Sequence, residues 1–115
     1  MVAVRIKRIY EPVGTDDGQR ILVDGIWPRG VSRDDARLDA WMPKVAPSTE
    51  LRKWFGHDSD RWAEFSTRYR RELDENPELG ELVALATAAP TTLLYGARDT
   101  DHNQAVVLAA VLAEH

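Results

Sequence analysis

Two polar segments follow the two most convincing buried strands of the sequence, and both carry side chains that could do chemistry. DGIWPRG (24–30) follows the apolar run ILV (21–23), and GARDTDHN (96–103) follows TTLLY (91–95). Ligands of open parallel sheets bind beyond the carboxyl ends of the strands, so the two segments would form one site if these strands are neighbours. The side chains that would then converge are Asp24, Arg29, Tyr95, Asp99, His102 and Asn103.

This set offers the parts of a cofactor-independent hydrolase. Arg29 supplies a guanidinium fork that suits phosphate or carboxylate. Asp24 or Asp99 would act as general base, or would orient His102, whose imidazole titrates near neutrality. The helix expected after Asn103 adds free N–H groups that favour an anion. We therefore predict Asp24, Asp99 and His102 as catalytic residues of a small-molecule enzyme with an anionic, nucleotide-like substrate.

Each of these residues also has a structural interpretation. Asp24 can bond backbone amides of its own turn, and Asp99 can do the same. His102 can be an exposed residue at the start of a helix. Trp27 can pack against the core, and Arg29 can pair with a surface acid. On this interpretation the same cleft belongs to a ligand-binding or regulatory module without catalysis.

A third segment, APSTELRKWFGHD (46–58), has an unusual composition. Arg52 and Lys53 could hold a phosphate, and Trp54 could stack on a base. The alternative is an amphipathic helix with Leu51, Trp54 and Phe55 facing inward. The residues predicted to bind ligand are Trp27, Arg29, Arg52, Trp54, His57, Tyr95 and Asn103.

Composition narrows the possible functions. The chain of 115 residues suits one domain, and it contains no cysteine for disulfides or thiolate chemistry. No apolar run reaches the ~20 residues of a membrane span, and the N-terminus lacks a signal-peptide pattern, so we expect a cytoplasmic protein. The net charge is −4; residues 1–57 carry 10 basic and 8 acidic residues, and 58–115 carry 5 and 11. Nucleic acid is therefore a weak third hypothesis that needs a local basic patch.

Several common signatures are absent from the sequence. It contains neither GxGxxG nor GxxxxGK[ST], no GxSxG and no HExxH. A divalent-metal site built from Asp24, Asp99, Asp101 and His102 is a weak alternative. The expected ligand is a small anion, with no cofactor and no metal.

The periodicity predicts a single small α/β domain with a mostly parallel sheet of three to five strands, flanked by helices in a Rossmann-like arrangement. Strands are expected at 2–6, 21–23 and 91–95. Ser32, Ser48 or Thr49, Ser59 and Asn76 are predicted helix caps. The last helix is expected to start near Asp101, with Gln104 completing a capping box.

Four motifs together resemble the bacterial YeaO-like proteins of the domain of unknown function 488 family. They are ILVDGIWPRG, APSTELRKWFGHD, WAEFSTRYRREL and TLLYGARDTDHNQAVVL, in this order over nearly the whole chain. The resemblance implies one YeaO-like α/β domain over 1–115 and no established activity. The family usually has a large basic residue after the aspartate of the first motif, where this chain has Gly25.

Overall fold

A computed structural model describes residues 2–115, which form a four-stranded parallel sheet in the order β1-β4-β2-β3. The strands are β1 (Arg5–Arg8), β2 (Gln19–Leu22), β3 (Ala40–Trp41) and β4 (Thr91–Tyr95). All five residues of β4 are buried, as expected for a central strand covered on both faces. The predicted small α/β fold with a parallel sheet is confirmed.

Five helices surround this sheet in the described part of the chain, and their bounds are α1 (Arg33–Ala36), α2 (Thr49–Phe55), α3 (Trp62–Asp74), α4 (Pro77–Ala88) and α5 (Gln104–Ala113). Short 3-10 turns at Pro43–Val45 and Ser59–Arg61 precede α2 and α3. None of the helices within residues 2–115 is both long and apolar enough to cross a membrane.

The two faces of the sheet are covered unequally. Successive strand residues point to opposite faces, so Ile21 and Leu93 contribute to a large core with α2, α3, α4 and α5. Leu22 and Leu94 belong to a smaller cluster that is covered by α1, by Trp27 of the loop after β2 and by Trp41 of β3. The long helices therefore lie on one side, and the carboxyl edge of β2 and β4 opens between α2 and α5.

Two predicted helix starts are wrong, and both errors lie where an aspartate captures backbone amides. Asp58, not Ser59, caps the 3-10 turn by accepting a hydrogen bond from the Asp60 N–H, and α3 begins only at Trp62. Likewise Asp99 accepts hydrogen bonds from the N–H groups of residues 101 and 102, which forms a turn and delays α5. The predicted caps Ser32, Ser48 and Asn76 are confirmed.

Asn103 is the cap of α5. Its buried side chain accepts hydrogen bonds from the N–H groups of Ala105 and Val106 at 3.0 and 3.2 Å, and donates one to the Asp99 carbonyl at 2.9 Å. We expect Asn103→Ala to lower the free energy of unfolding by about 1–2 kcal/mol in urea denaturation, because a capping side chain is lost. Asp101→Ala should change it by less than about 0.5 kcal/mol. If Asp101→Ala destabilised the protein more than Asn103→Ala, Asp101 would be the cap instead.

A buried ion cluster fixes the loop before β2, and no local pattern of the sequence predicts it. The Arg20 guanidinium lies 2.5 Å from the Asp17 carboxylate, and Lys7 lies 3.1 Å from the same group. Arg20 also donates two hydrogen bonds to the Ala36 carbonyl. Burial opposes ionisation of Asp17, but the Gly14 N–H, Lys7 and Arg20 outweigh it, so the pKa of Asp17 lies below its ordinary value.

Candidate functional site

The two polar loops meet at the carboxyl edge of the sheet, because β2 and β4 are hydrogen-bonded neighbours. Asp24 joins them: one carboxylate oxygen accepts the Gly96 N–H at 2.9 Å, and the other accepts the amide group of Gln104, the first residue of α5. The backbone carbonyl of Asp24 accepts the Trp41 indole N–H at 2.8 Å. Burial raises the pKa of the Asp24 carboxyl. The hydrogen bonds from Gly96 and Gln104 and the positive charge of Arg52 offset only part of this effect.

Gly96 is required by this junction. A Cβ atom at position 96 would lie 2.9 Å from a carboxylate oxygen of Asp24, closer than real side chains approach. The hydrogen bond from the Gly96 N–H therefore forms only where no side chain intervenes. Sequence reasoning predicted Asp24 but not the two groups that bind it.

A cleft lies beside this junction, and we call it the Arg52 cleft. It consists of a larger cavity of about 340 Å³ and a smaller one of about 180 Å³. The two cavities share Pro47, Arg52, His57, Ala97 and Gln104 along their walls. Asp24, Gly25 and the apolar segment 26–28 line the larger cavity, and His102 and Asn103 line the smaller one.

Arg52 stands on α2, whose position is fixed at both ends. Ser48 caps the helix, and its N–H and hydroxyl groups both donate to the Glu72 carboxylate of α3, at 2.8 and 2.6 Å. Gly56 ends the helix in the left-handed conformation with φ of 53°. The helix therefore holds the Arg52 side chain at the boundary between the two cavities.

The guanidinium of Arg52 is incompletely paired. One terminal nitrogen donates to the Thr49 hydroxyl at 3.2 Å, whereas the Nε atom is buried without a hydrogen-bond partner among residues 2–115. Within the same residues Arg52 forms no ion pair closer than 4 Å. The Nη1 atom lies 3.8 Å from the Cβ position of Gly25, which lines the larger cavity, so this end of the guanidinium can receive an acceptor from a molecule in the cleft.

Two histidines border the cleft. His57 follows Gly56 and also has a left-handed backbone, with φ of 58°, a conformation that side chains other than asparagine, aspartate and histidine rarely adopt. His102 is held from two sides: its Nδ1 atom lies 2.9 Å from the Asp99 carboxylate, and its ring packs edge-on to Trp62. The N–H of residue 101 and the His102 side chain keep the pKa of Asp99 below its ordinary value.

Other predicted site residues lie elsewhere. Arg29 is exposed and outside both cavities, and within residues 2–115 its one hydrogen bond is at the backbone carbonyl, which accepts from the Tyr10 hydroxyl at 2.8 Å. Tyr95 is buried in the core, and burial raises its pKa. Trp54 also lies outside both cavities, and the guanidinium groups of Arg61 and Arg68 lie over its ring at 5.2 and 4.2 Å.

The Trp27 side chain packs within the fold and also borders the cleft. Its indole packs edge-on to Trp41 with ring centroids 5.3 Å apart, and its N–H donates to the Val31 carbonyl at 2.8 Å. The Arg33 guanidinium lies over its ring at 4.4 Å. Part of the same side chain lines the larger cavity. Trp27 is thus a packing residue that also forms cleft wall.

Gln104 is the cleft residue that sequence reasoning missed. The spacing from Asp101 assigned it to a capping box, whereas its side chain lies between Asp24 and both cavities. Gln104 is the one polar residue of an otherwise apolar helix, and this pattern indicates a polar contact at the start of α5. Among residues 2–115 the structure brings no three acidic or histidine side chains together as metal ligands.

The fold and the cleft define a small parallel α/β domain with a composite cleft at the carboxyl edge of its two central strands. Over residues 3–115 the chain matches the family model described as "Inactive DUF488-N3 subclade", and it belongs to that family. The resemblance to the domain of unknown function 488 family is thereby confirmed.

Curated relatives match nearly the whole chain. An uncharacterized protein of Mycobacterium tuberculosis strain H37Rv, Rv3073c, is 44% identical over 109 residues, which cover 95% of this chain and 92% of that protein. The uncharacterized protein YeaO of Escherichia coli K12 is 44% identical over 107 residues, covering 92% and 93%. No solved structure matches the chain.

Proposed function

We propose that this protein binds a small anionic molecule in the Arg52 cleft and does not transform it. The observation that carries the proposal is the Arg52 guanidinium, which borders both cavities and forms no ion pair within 4 Å among residues 2–115, while its buried Nε–H has no acceptor there. A carboxylate or phosphate oxygen is the acceptor that a guanidinium fork prefers. His57 and Gln104 provide further polar groups on the same walls.

Binding without turnover is supported by the state of the candidate catalysts. Both carboxylate oxygens of Asp24 accept hydrogen bonds that connect the ends of β2 and β4 with α5. Asp24 therefore has a structural role and is not a free base. Neither serine, threonine nor cysteine lies among the described residues that line the two cavities. The description of the matched family as an inactive subclade points the same way.

Hydrolysis is the second candidate, and one observation favours it. The Asp99 carboxylate orients His102 through Nδ1, which leaves Nε2 available as a general base beside the smaller cavity. Arg52 would then hold the anionic part of an anionic, nucleotide-like substrate. This arrangement uses two of the three predicted catalytic residues and needs no cofactor.

The test of the proposal is an NMR titration with sodium acetate and inorganic phosphate that follows the arginine Nε–H signals of the wild type and the backbone amide signals of the cleft residues in every variant. We expect the Arg52 signal of the wild type to shift with a saturable dependence on concentration. Arg52→Gln should weaken binding at least about tenfold, because charge-assisted hydrogen bonds are lost. Lys53→Gln removes the same charge from the next, exposed position of α2 and should stay within about twofold.

Two outcomes of this experiment would count against the proposal. An Arg52 signal that no anion shifts would remove the binding function. Product formation from phosphate esters or nucleotides in the wild-type sample, abolished by His102→Gln, would favour hydrolysis over binding alone. Unchanged ligand spectra after prolonged incubation support binding without turnover.

A further inference from the structure

We infer that the ligand of the Arg52 cleft is a compact organic monocarboxylate, and that Gly25 determines this preference by keeping open the space for its apolar body. The inference rests on the proposed anion binding at Arg52. It is carried by three independent features of the cleft: the missing side chain at position 25, the size and composition of the walls, and the charge of Asp24.

The backbone at Gly25 does not require glycine. Gly18, Gly30 and Gly56 have positive φ, and Gly96 has no room for a Cβ atom, but neither condition applies to Gly25. A Cβ atom at position 25 would lie 3.4 Å from the Ala46 side chain and 3.8 Å from the Arg52 guanidinium, both ordinary contact distances. A larger side chain would project from there into the cavity beside Arg52.

The larger cavity has room for more than a bare anion, and part of its wall is apolar. Its volume is about 340 Å³, whereas a water molecule occupies about 30 Å³ of the liquid. Much of its wall is apolar, contributed by Ile26, Trp27, Pro28, Ala46, Pro47 and Ala97. Ile26 is 68% exposed at the rim, where an apolar ligand would cover it. Such walls are typical of sites for organic ligands, with a few polar groups that fix one end.

The charge balance of the cavity favours a single negative charge. Asp24 lies in the same wall as Arg52, and the attraction of Arg52 for its carboxylate opposes the effect of burial. A bound monoanion shares one guanidinium with Asp24, whereas a dianion would add a second like charge near that carboxylate. A carboxylate therefore fits this site better than a phosphate monoester, which is mostly dianionic above its second pKa of about 6.

The experiment compares sodium benzoate, sodium acetate and phenyl phosphate at pH 8 by NMR titration of the wild type, Gly25→Ala, Gly25→Val and Gly80→Ala. For the wild type we expect benzoate to bind at least about tenfold more tightly than acetate, because the ring is transferred from water to an apolar wall. Phenyl phosphate should bind more weakly than benzoate. Gly80 lies in α4 with nothing near its Cβ position, so Gly80→Ala should leave all three affinities unchanged.

Substitution of Gly25 should remove the preference for benzoate. Gly25→Val should weaken benzoate binding at least tenfold and acetate binding less than threefold, with a smaller effect for Gly25→Ala. Circular dichroism melting verifies that each variant is folded. Equal affinity for acetate and benzoate, benzoate preference retained in Gly25→Val, or tighter binding of phenyl phosphate would overturn the inference while leaving anion binding intact. No response of Arg52 to any anion would overturn both.

Discussion

Replacing Asp17 by asparagine is expected to lower the free energy of unfolding by about 3 kcal/mol at pH 7, the usual effect of removing one partner from a buried ion pair. Arg20, which is 4% exposed, would keep its charge without the carboxylate that lies 2.5 Å away. The midpoint of thermal unfolding should fall by on the order of 12 °C for a domain of this size. Calorimetry and urea denaturation measure both quantities.

The effect of Asp17 should depend on pH with a definite sign. The folded-state pKa of Asp17 lies below its ordinary value of 3.8, which we take for the unfolded chain. Its contribution is therefore fully present above that value and is lost as the pH falls through the lowered pKa. The stability difference between wild type and Asp17→Asn should shrink between about pH 4 and pH 2.

An exposed ion pair provides the control for this prediction. Arg70 lies 2.9 Å from Glu114, and the two side chains are 40% and 60% exposed. Glu114→Gln should change the unfolding free energy by less than about 1 kcal/mol, and 0.5 M salt should reduce even that difference. If Asp17→Asn behaved like Glu114→Gln, the cluster around Arg20 would not contribute to stability as the structure indicates.

Asp24→Asn should lower the free energy of unfolding by about 2 kcal/mol, because Asp24 supports the junction of the two loops. The carboxylate accepts from two donors, the Gly96 N–H and the Gln104 amide. An asparagine side chain has one acceptor oxygen and one NH₂ group, so the two charge-assisted hydrogen bonds would be replaced by neutral ones, and one of them would form only after the Gln104 amide turned its oxygen toward the new NH₂ group. The thermal midpoint should fall by roughly 8 °C.

This substitution separates a structural from a catalytic Asp24. If Asp24 were a catalytic base, the Asp24→Asn variant would lose turnover at unchanged stability. If Asp24 connects β2 and α5, the variant loses stability. Asp101→Asn is the matched control, since Asp101 is exposed on the same edge of the sheet, and it should change stability by less than about 0.5 kcal/mol. An Asp24→Asn variant as stable as the wild type would return Asp24 to the list of candidate bases.

Local patterns were sufficient for much of the fold. The buried run TTLLY predicted the central strand β4, and the caps Ser48 and Asn76 followed from residue type and spacing. The errors at Ser59 and Asp101 arose because Asp58 and Asp99 can bind the same amides that a cap would bind. Sequence spacing alone does not decide between such competing acceptors.

The candidate site also has features that local sequence patterns determine and features that depend on the tertiary structure. The sequence by itself determined that polar loops follow two apolar strands and that α2 carries a basic residue near a histidine. Only the tertiary structure decided that β2 and β4 are neighbours, that Asp24 binds Gly96 and Gln104, and that Arg29 lies outside the cleft. These contacts join residues about 70 to 80 positions apart in the chain. Their formation depends on strand order and helix placement, which the packing of the whole core sets and no local pattern encodes.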